Sequence, residues 1–242
     1  MIVNSIPHRV FPYDAANVTA LELAISAERL HPYIIRAGGS RVNAILLYER
    51  NIALSEALYG VIQGIEIALR NVLHRQLSSS PYGAMWFDTA PLGSTQAARV
   101  IEAKAKLFRD GCGLTPGALV AELSFGFWTA LLAKGYEKTL WVPHLYRAFP
   151  HAGNKNRFDI HEQLVEIRTL RNRIAHHEPI LKLDLPRFFT KTLTALEWIC
   201  PVSAKWVRST SCFHQRLHEK PLKYDPPKLP PQPAPPMPGR PI

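Results

Sequence analysis

Residues 42–77 read VNAILLYERNIALSEALYGVIQGIEIALRNVLHRQL. Within this stretch Leu54, Leu58, Val61, Ile65, Leu69 and Val72 recur at steps of three and four residues. That spacing follows the 3.6-residue period of an α-helix and lays the six side chains along one stripe, which must be buried against something apolar. The run Ser78-Ser79-Ser80-Pro81, with Gly83 just beyond, ends the helix. One long helix with a single apolar stripe sets the class, because the elements around it have to cover that stripe.

The neighbouring segments show the same period. Towards the N-terminus, Asn17 and Thr19 are candidate caps of a helix reaching about Glu28. A shorter helix carries Leu30, Tyr33 and Ile34 up to Gly38-Gly39. The first sixteen residues, with Pro7 and Pro12, are expected to form an extended arm. Towards the C-terminus, a loop with Pro91 and Gly93 leads into a helix from about Thr95 to Arg109. Thr115-Pro116 then looks like an N-cap followed by proline at the first helical position, opening a helix to about Lys134. Leu140–Phe149 is short and of no clear type. A helix from about Arg157 to His177 turns Ile160, Leu164, Ile167, Leu170 and Ile174 inward, and a last one runs from about Pro186 to Val207. No stretch alternates with the period of a strand, so the expected class is all-α, with one helical domain over residues 17–210. From Pro221 to Ile242, ten of the twenty-two residues are proline. Such a segment cannot be helical and has little apolar mass to bury, so a disordered, polyproline-rich tail is expected.

Composition narrows the functions open to such a domain. Of the 242 residues, 47% are hydrophobic, as in an ordinary globular protein, and the net charge is +10. An excess of that size favours polyanionic partners, because basic groups release condensed counterions from a nucleic-acid backbone. Cys112, Cys200 and Cys212 are too few and too scattered for a disulfide framework, and no CxxC pair points to zinc. The N-terminus lacks a charged segment followed by an apolar one, and no uncharged apolar run reaches the roughly 18 residues of a membrane span. The expected setting is the cytosol, with no membrane partner.

The residues suited to chemistry lie in Leu170-Arg171-Asn172-Arg173-Ile174-Ala175-His176-His177-Glu178-Pro179. Pro179 pushes Glu178 out of the helical region, so Arg171, Asn172 and His176 occupy the last turns of their helix. Asn172 and His176, four apart, share a face. Arg171 stands about 140° from His176 on an ideal helix and reaches the same spot only by its length or a local distortion. Helix capping with surface charge is the plain alternative reading of this run. His177 and Glu178 point apart and have no third ligand at zinc-like spacing, so no metal site is expected. On the long helix, Glu66 and Arg70 form either an i,i+4 pair or part of a cleft. Phe125, Phe127 and Trp128 are expected in the core. Arg168 and Arg173 are candidate phosphate contacts, each equally readable as a solvated charge.

Arg171, four intervening residues and His176 match the R-x4–6-H signature of HEPN ribonucleases, with Asn172 as the usual polar residue after the arginine. The string RNRIAHHEP resembles the Abi-like (abortive-infection) branch of that superfamily. The segments Gly64-Ile65-Glu66-Ile67-Ala68-Leu69-Arg70-Asn71 and Leu123-Ser124-Phe125-Gly126-Phe127-Trp128 agree with it. The likeness covers about residues 20–200 and leaves out the proline-rich tail. It implies a HEPN-type bundle with extra terminal helices, acting as a homodimer with two R-x4–6-H motifs in one composite cleft. The implied activity is metal-independent endoribonuclease cleavage without a cofactor. The implied setting is phage defence or a toxin–antitoxin pair, with RNA as substrate and a protein or RNA antitoxin as a further partner. Arg171, Asn172 and His176 are then the catalytic residues, Glu66 and Arg70 line the cleft, and Arg168 and Arg173 bind RNA. A catalytically inactive HEPN module that binds RNA or protein is the alternative.

Overall fold

In the computed structural model, residues 11–154 and 156–219 are described, and every regular element among them is helical, with no strand. The expected proline-rich tail lies outside these residues. The described residues fall into two compact units, 11–50 and 51–219.

In the first unit, α1 (Ala15–Ile25) and α2 (Ala27–Arg36) precede the start of the long helix α3 (Arg41–Ser78). The two expected helices are present, but they meet at Ser26 rather than beyond Glu28. Ser26 has a φ of +84°, and its hydroxyl accepts from the Arg29 amide to cap α2. The cap of α1 is Asp14 rather than Asn17 or Thr19. Its carboxylate accepts from the Asn17 amide at 2.9 Å, and the helix starts at Ala15, one residue before the expected end of the arm.

The second unit holds the rest of α3, then α4 (Trp86–Thr89), α5 (Ser94–Arg109), α6 (Pro116–Glu122) and α7 (Phe125–Ala130). After these come irregular 3₁₀ and π turns over residues 134–148, then α8 (Arg157–Ala175), α9 (Leu185–Ile199), α10 (Pro201–Thr210) and α11 (Phe213–His218). The expected stripe on α3 is buried throughout, as are Ile160, Leu164, Ile167, Leu170 and Ile174 of α8. The most apolar window of α3 averages a hydropathy of 1.4, enough for a membrane-crossing helix by length and composition. Here its residues Leu54 to Leu77 build the core of the second unit. Gly64 lets α10 pack close against α3, since a Cβ there would stand 2.8 Å from Val207 Cγ2.

Two expected helices are broken in two. The segment opened by Thr115-Pro116 stops at Leu123, and Ser124 caps α7 by accepting from the Phe127 amide at 3.3 Å. The break lets Leu123, Phe125, Phe127 and Trp128 all enter the core, which one straight helix with a single apolar stripe could not do. The segment expected over Pro186–Val207 breaks at Cys200. Pro201 forces extended backbone on the residue before it and then serves as the first residue of α10.

Beneath α4, the Trp86 indole N–H donates to His74 Nδ1 at 3.0 Å, and the His74 ring stacks on Phe87. Burial pushes the His74 pKa below its ordinary value of 6.5, because this pocket solvates imidazolium poorly. Burial lowers His144 and His161 as well, with nearby arginines adding to the effect. As pH falls through about 6.5, the unfolded chain takes up protons that the native chain refuses, so stability is full above that pH and declines below it. Melting temperature should therefore drop on acidification through this range, and should drop less in His74→Gln, which no longer titrates there. Identical acid sensitivity in the two proteins would remove His74 from the account.

Candidate functional site

The end of α8 carries the residues singled out in the sequence. Asn156 and Asp159 form a reciprocal capping box at its start, and the helix ends at Ala175 with His176 as C-cap. His177 adopts a left-handed φ of +56°. The His177 amide then donates to the Ile174 carbonyl at 3.0 Å, and the Glu178 amide to the Arg173 carbonyl at 2.8 Å. This pairing of amides with the last carbonyls is the usual ending of a helix at a left-handed residue, a position that glycine most often fills. The helix thus stops through His177, before the limit that Pro179 would impose.

Beyond the turn, the chain is held by Asn51 of α3. Its amide oxygen accepts from the Ile180 amide at 2.8 Å and its Nδ2 donates to the Glu178 carbonyl at 3.4 Å. Asn51 is one of four buried polar residues among those described, and sequence reasoning missed it. A single asparagine in an apolar run carries no periodic signal, although a polar residue one turn before Leu54 could have prompted the question. Asn51→Leu removes the acceptor and leaves the Ile180 amide buried and unpaired, a loss of about 1–3 kcal/mol. The melting temperature should fall by several degrees, at roughly 2–4 °C per kcal/mol for a chain of this size. An unchanged melt would mean that the turn holds itself.

The expected site residues part company here. Arg171 turns towards α3, where its Nε stands 3.5 Å from Glu66 Oε2; the two side chains are 28% and 21% exposed. The Arg171 Nε is buried without a hydrogen bond of good geometry, and so is the Nε of Arg70. Glu66 therefore pairs across to Arg171, and no ion pair among the described residues joins it to Arg70, its i,i+4 neighbour. Asn172 and His176 are exposed on the outer side of α8.

The two expected RNA contacts are both engaged. Arg173 Nε donates to Glu178 Oε2 at 3.1 Å, tying the last turn to the residue after the cap. Arg168 donates from Nη1 to Thr129 Oγ1 at 3.1 Å on α7. Phe125, Phe127 and Trp128 are core residues, as expected. Among the described residues, no three His, Cys, Asp or Glu side chains gather as a metal site would require.

Comparison with protein-family models, curated proteins and solved structures finds no match to this chain.

Proposed function

We propose that the protein is an endoribonuclease of the HEPN, Abi-like type, cutting RNA without metal through attack of the 2′-OH on the adjacent phosphate. The observation that carries this reading is a mostly covered Arg171 guanidinium with an unsatisfied buried Nε, five residues before an exposed His176 at the helix end. A structural bundle has little use for a desolvated cation with spare hydrogen-bonding capacity. A phosphate gaining charge in the transition state would take up that capacity through the forked guanidinium. Histidine exchanges protons near neutral pH and would serve as acid or base at the 2′-OH or the leaving oxygen. Asn172, on the same face as His176, would orient the ring or the phosphate.

One chain offers one such histidine and one such arginine, so the reading includes a two-fold homodimer that brings two motifs to one cleft. Toxicity to the host cell, used in phage defence or held by a protein or RNA antitoxin, fits this activity. A second reading, a HEPN module that grips RNA or a protein without cutting, draws on the Arg171–Glu66 pair. In that pair the arginine is already matched by a carboxylate. Incubating the purified protein with total RNA and a chelator separates the two. Fragments from the parent and none from His176→Ala are expected, and intact RNA with both proteins would leave the binding module as the account.

A further inference from the structure

A notch of about 310 Å³ opens between α5 and the start of α7, lined in part by Arg99, Lys106, Arg109, Glu122, Ser124 and Phe127. Arg99, Lys106 and Arg109 lie seven and three residues apart on α5, so they project from one flank of that helix. Arg99 pairs with Glu102 at 2.9 Å, and Lys106 with Glu122 at 2.7 Å. Arg109 makes no ion pair among the described residues. The lining holds three cations against two carboxylates, with Asp110 acting on Lys106 from beside it. The Arg99–Glu102 pair is exposed and the Lys106–Glu122 pair half-covered, and such pairs are weak and exchange for other anions.

The notch also adjoins α8. A point one Cβ out from Gly126 lies 3.6 Å from Ser124 Oγ, which belongs to the notch, and 3.9 Å from Arg168 Cδ. Arg168 is thus the stepping stone, with its stem beside the notch and its guanidinium on Thr129. Arg171 follows it one turn later on the same helix.

We infer that Arg168 and the α5 flank of Arg99, Lys106 and Arg109 form a track for the phosphates of single-stranded RNA, leading away from Arg171. This rests on the ribonuclease reading for what happens at Arg171, and on charge and concavity for the track itself. The ligand is an RNA strand longer than the pair of nucleotides at the cut, held by its backbone and therefore with little sequence preference.

The test uses the full chain and a labelled 2′-O-methyl RNA oligonucleotide, which cannot be cut, with binding read by fluorescence polarisation over a range of salt. Arg99→Glu/Arg109→Glu should weaken binding about tenfold or more at low salt. It should also flatten the salt dependence by roughly 0.7 in log–log slope for each phosphate that is no longer neutralised. Lys205→Glu/Arg208→Glu changes the net charge by the same amount on α10, outside the notch, and should leave that slope unchanged. Equal losses of affinity from both double variants would overturn the track in favour of a general field, as would full binding by the first. If the double reversal lowers the melting temperature, Arg109→Ala takes its place, with a slope change of roughly 0.7 expected and no change overturning the proposal. Failure of the parent to cut the unmethylated RNA of the same sequence would count against the ribonuclease reading alone, since the binding result decides the track without it.

Discussion

His176→Ala is expected to lower the rate of RNA cleavage by roughly 10²–10⁴, the usual worth of a positioned acid or base. Arg171→Ala should lower it by roughly 10²–10³, as for removal of one preorganised charged donor. Either loss would let cells expressing the variant grow. The two should differ in stability. His176 is exposed at the helix end, so its removal should leave the melt nearly unchanged. Arg171 is mostly covered and faces Glu66; its removal strands a carboxylate that is itself mostly covered, a cost of about 1–3 kcal/mol. Cleavage by Arg171→Ala should therefore be assayed well below its lowered melting temperature. Arg171→Lys keeps the charge opposite Glu66 and should recover much of that stability. It should recover little activity, because an ammonium cannot hold two phosphate oxygens in a fork. A His176→Ala protein as toxic as the parent would place the active site elsewhere.

Replacing the attacking 2′-OH with hydrogen should abolish cutting at that nucleotide, an effect as large as the assay can read. The proposed chemistry takes its nucleophile from the substrate itself, so a strand lacking the 2′-OH has no positioned group to attack the phosphate. Products from natural RNA should end in 2′,3′-cyclic phosphate, because the 2′-oxygen remains bonded to phosphorus when the leaving oxygen departs. Cleavage should persist with EDTA present. Activity that vanished with chelator and returned with magnesium would exclude this chemistry and call for carboxylates in place of His176.

Much of the fold was legible in residue spacing. The buried stripe of α3, the inward face of α8 and the Thr115-Pro116 start of α6 all follow from local periodicity and capping chemistry, which neighbouring residues settle among themselves. The break at Ser124 was not, and the division between α1 and α2 was legible only to within about three residues. At Ser124 a serine inside an apparently continuous period caps a new helix, and the gain is burial of aromatic side chains against elements far along the chain. The break at Cys200 was available in principle, because Pro201 restricts its predecessor whatever surrounds it.

The candidate site divides in the same way. The order of Arg171, Asn172 and His176 near the end of a helix is a property of the sequence, since Pro179 bounds that helix from beyond. What Arg171 faces was decided only by the tertiary structure. An i,i+4 rule offers Glu66 to Arg70, yet the packing of α8 against α3 brings a second arginine to the same carboxylate, and the cross-helix pair forms. The hold of Asn51 on Glu178 and Ile180 is likewise tertiary, joining residues 127 and 129 positions apart. Local spacing carries information about one helix at a time, whereas a buried charge or amide takes its partner from whichever element the core places beside it.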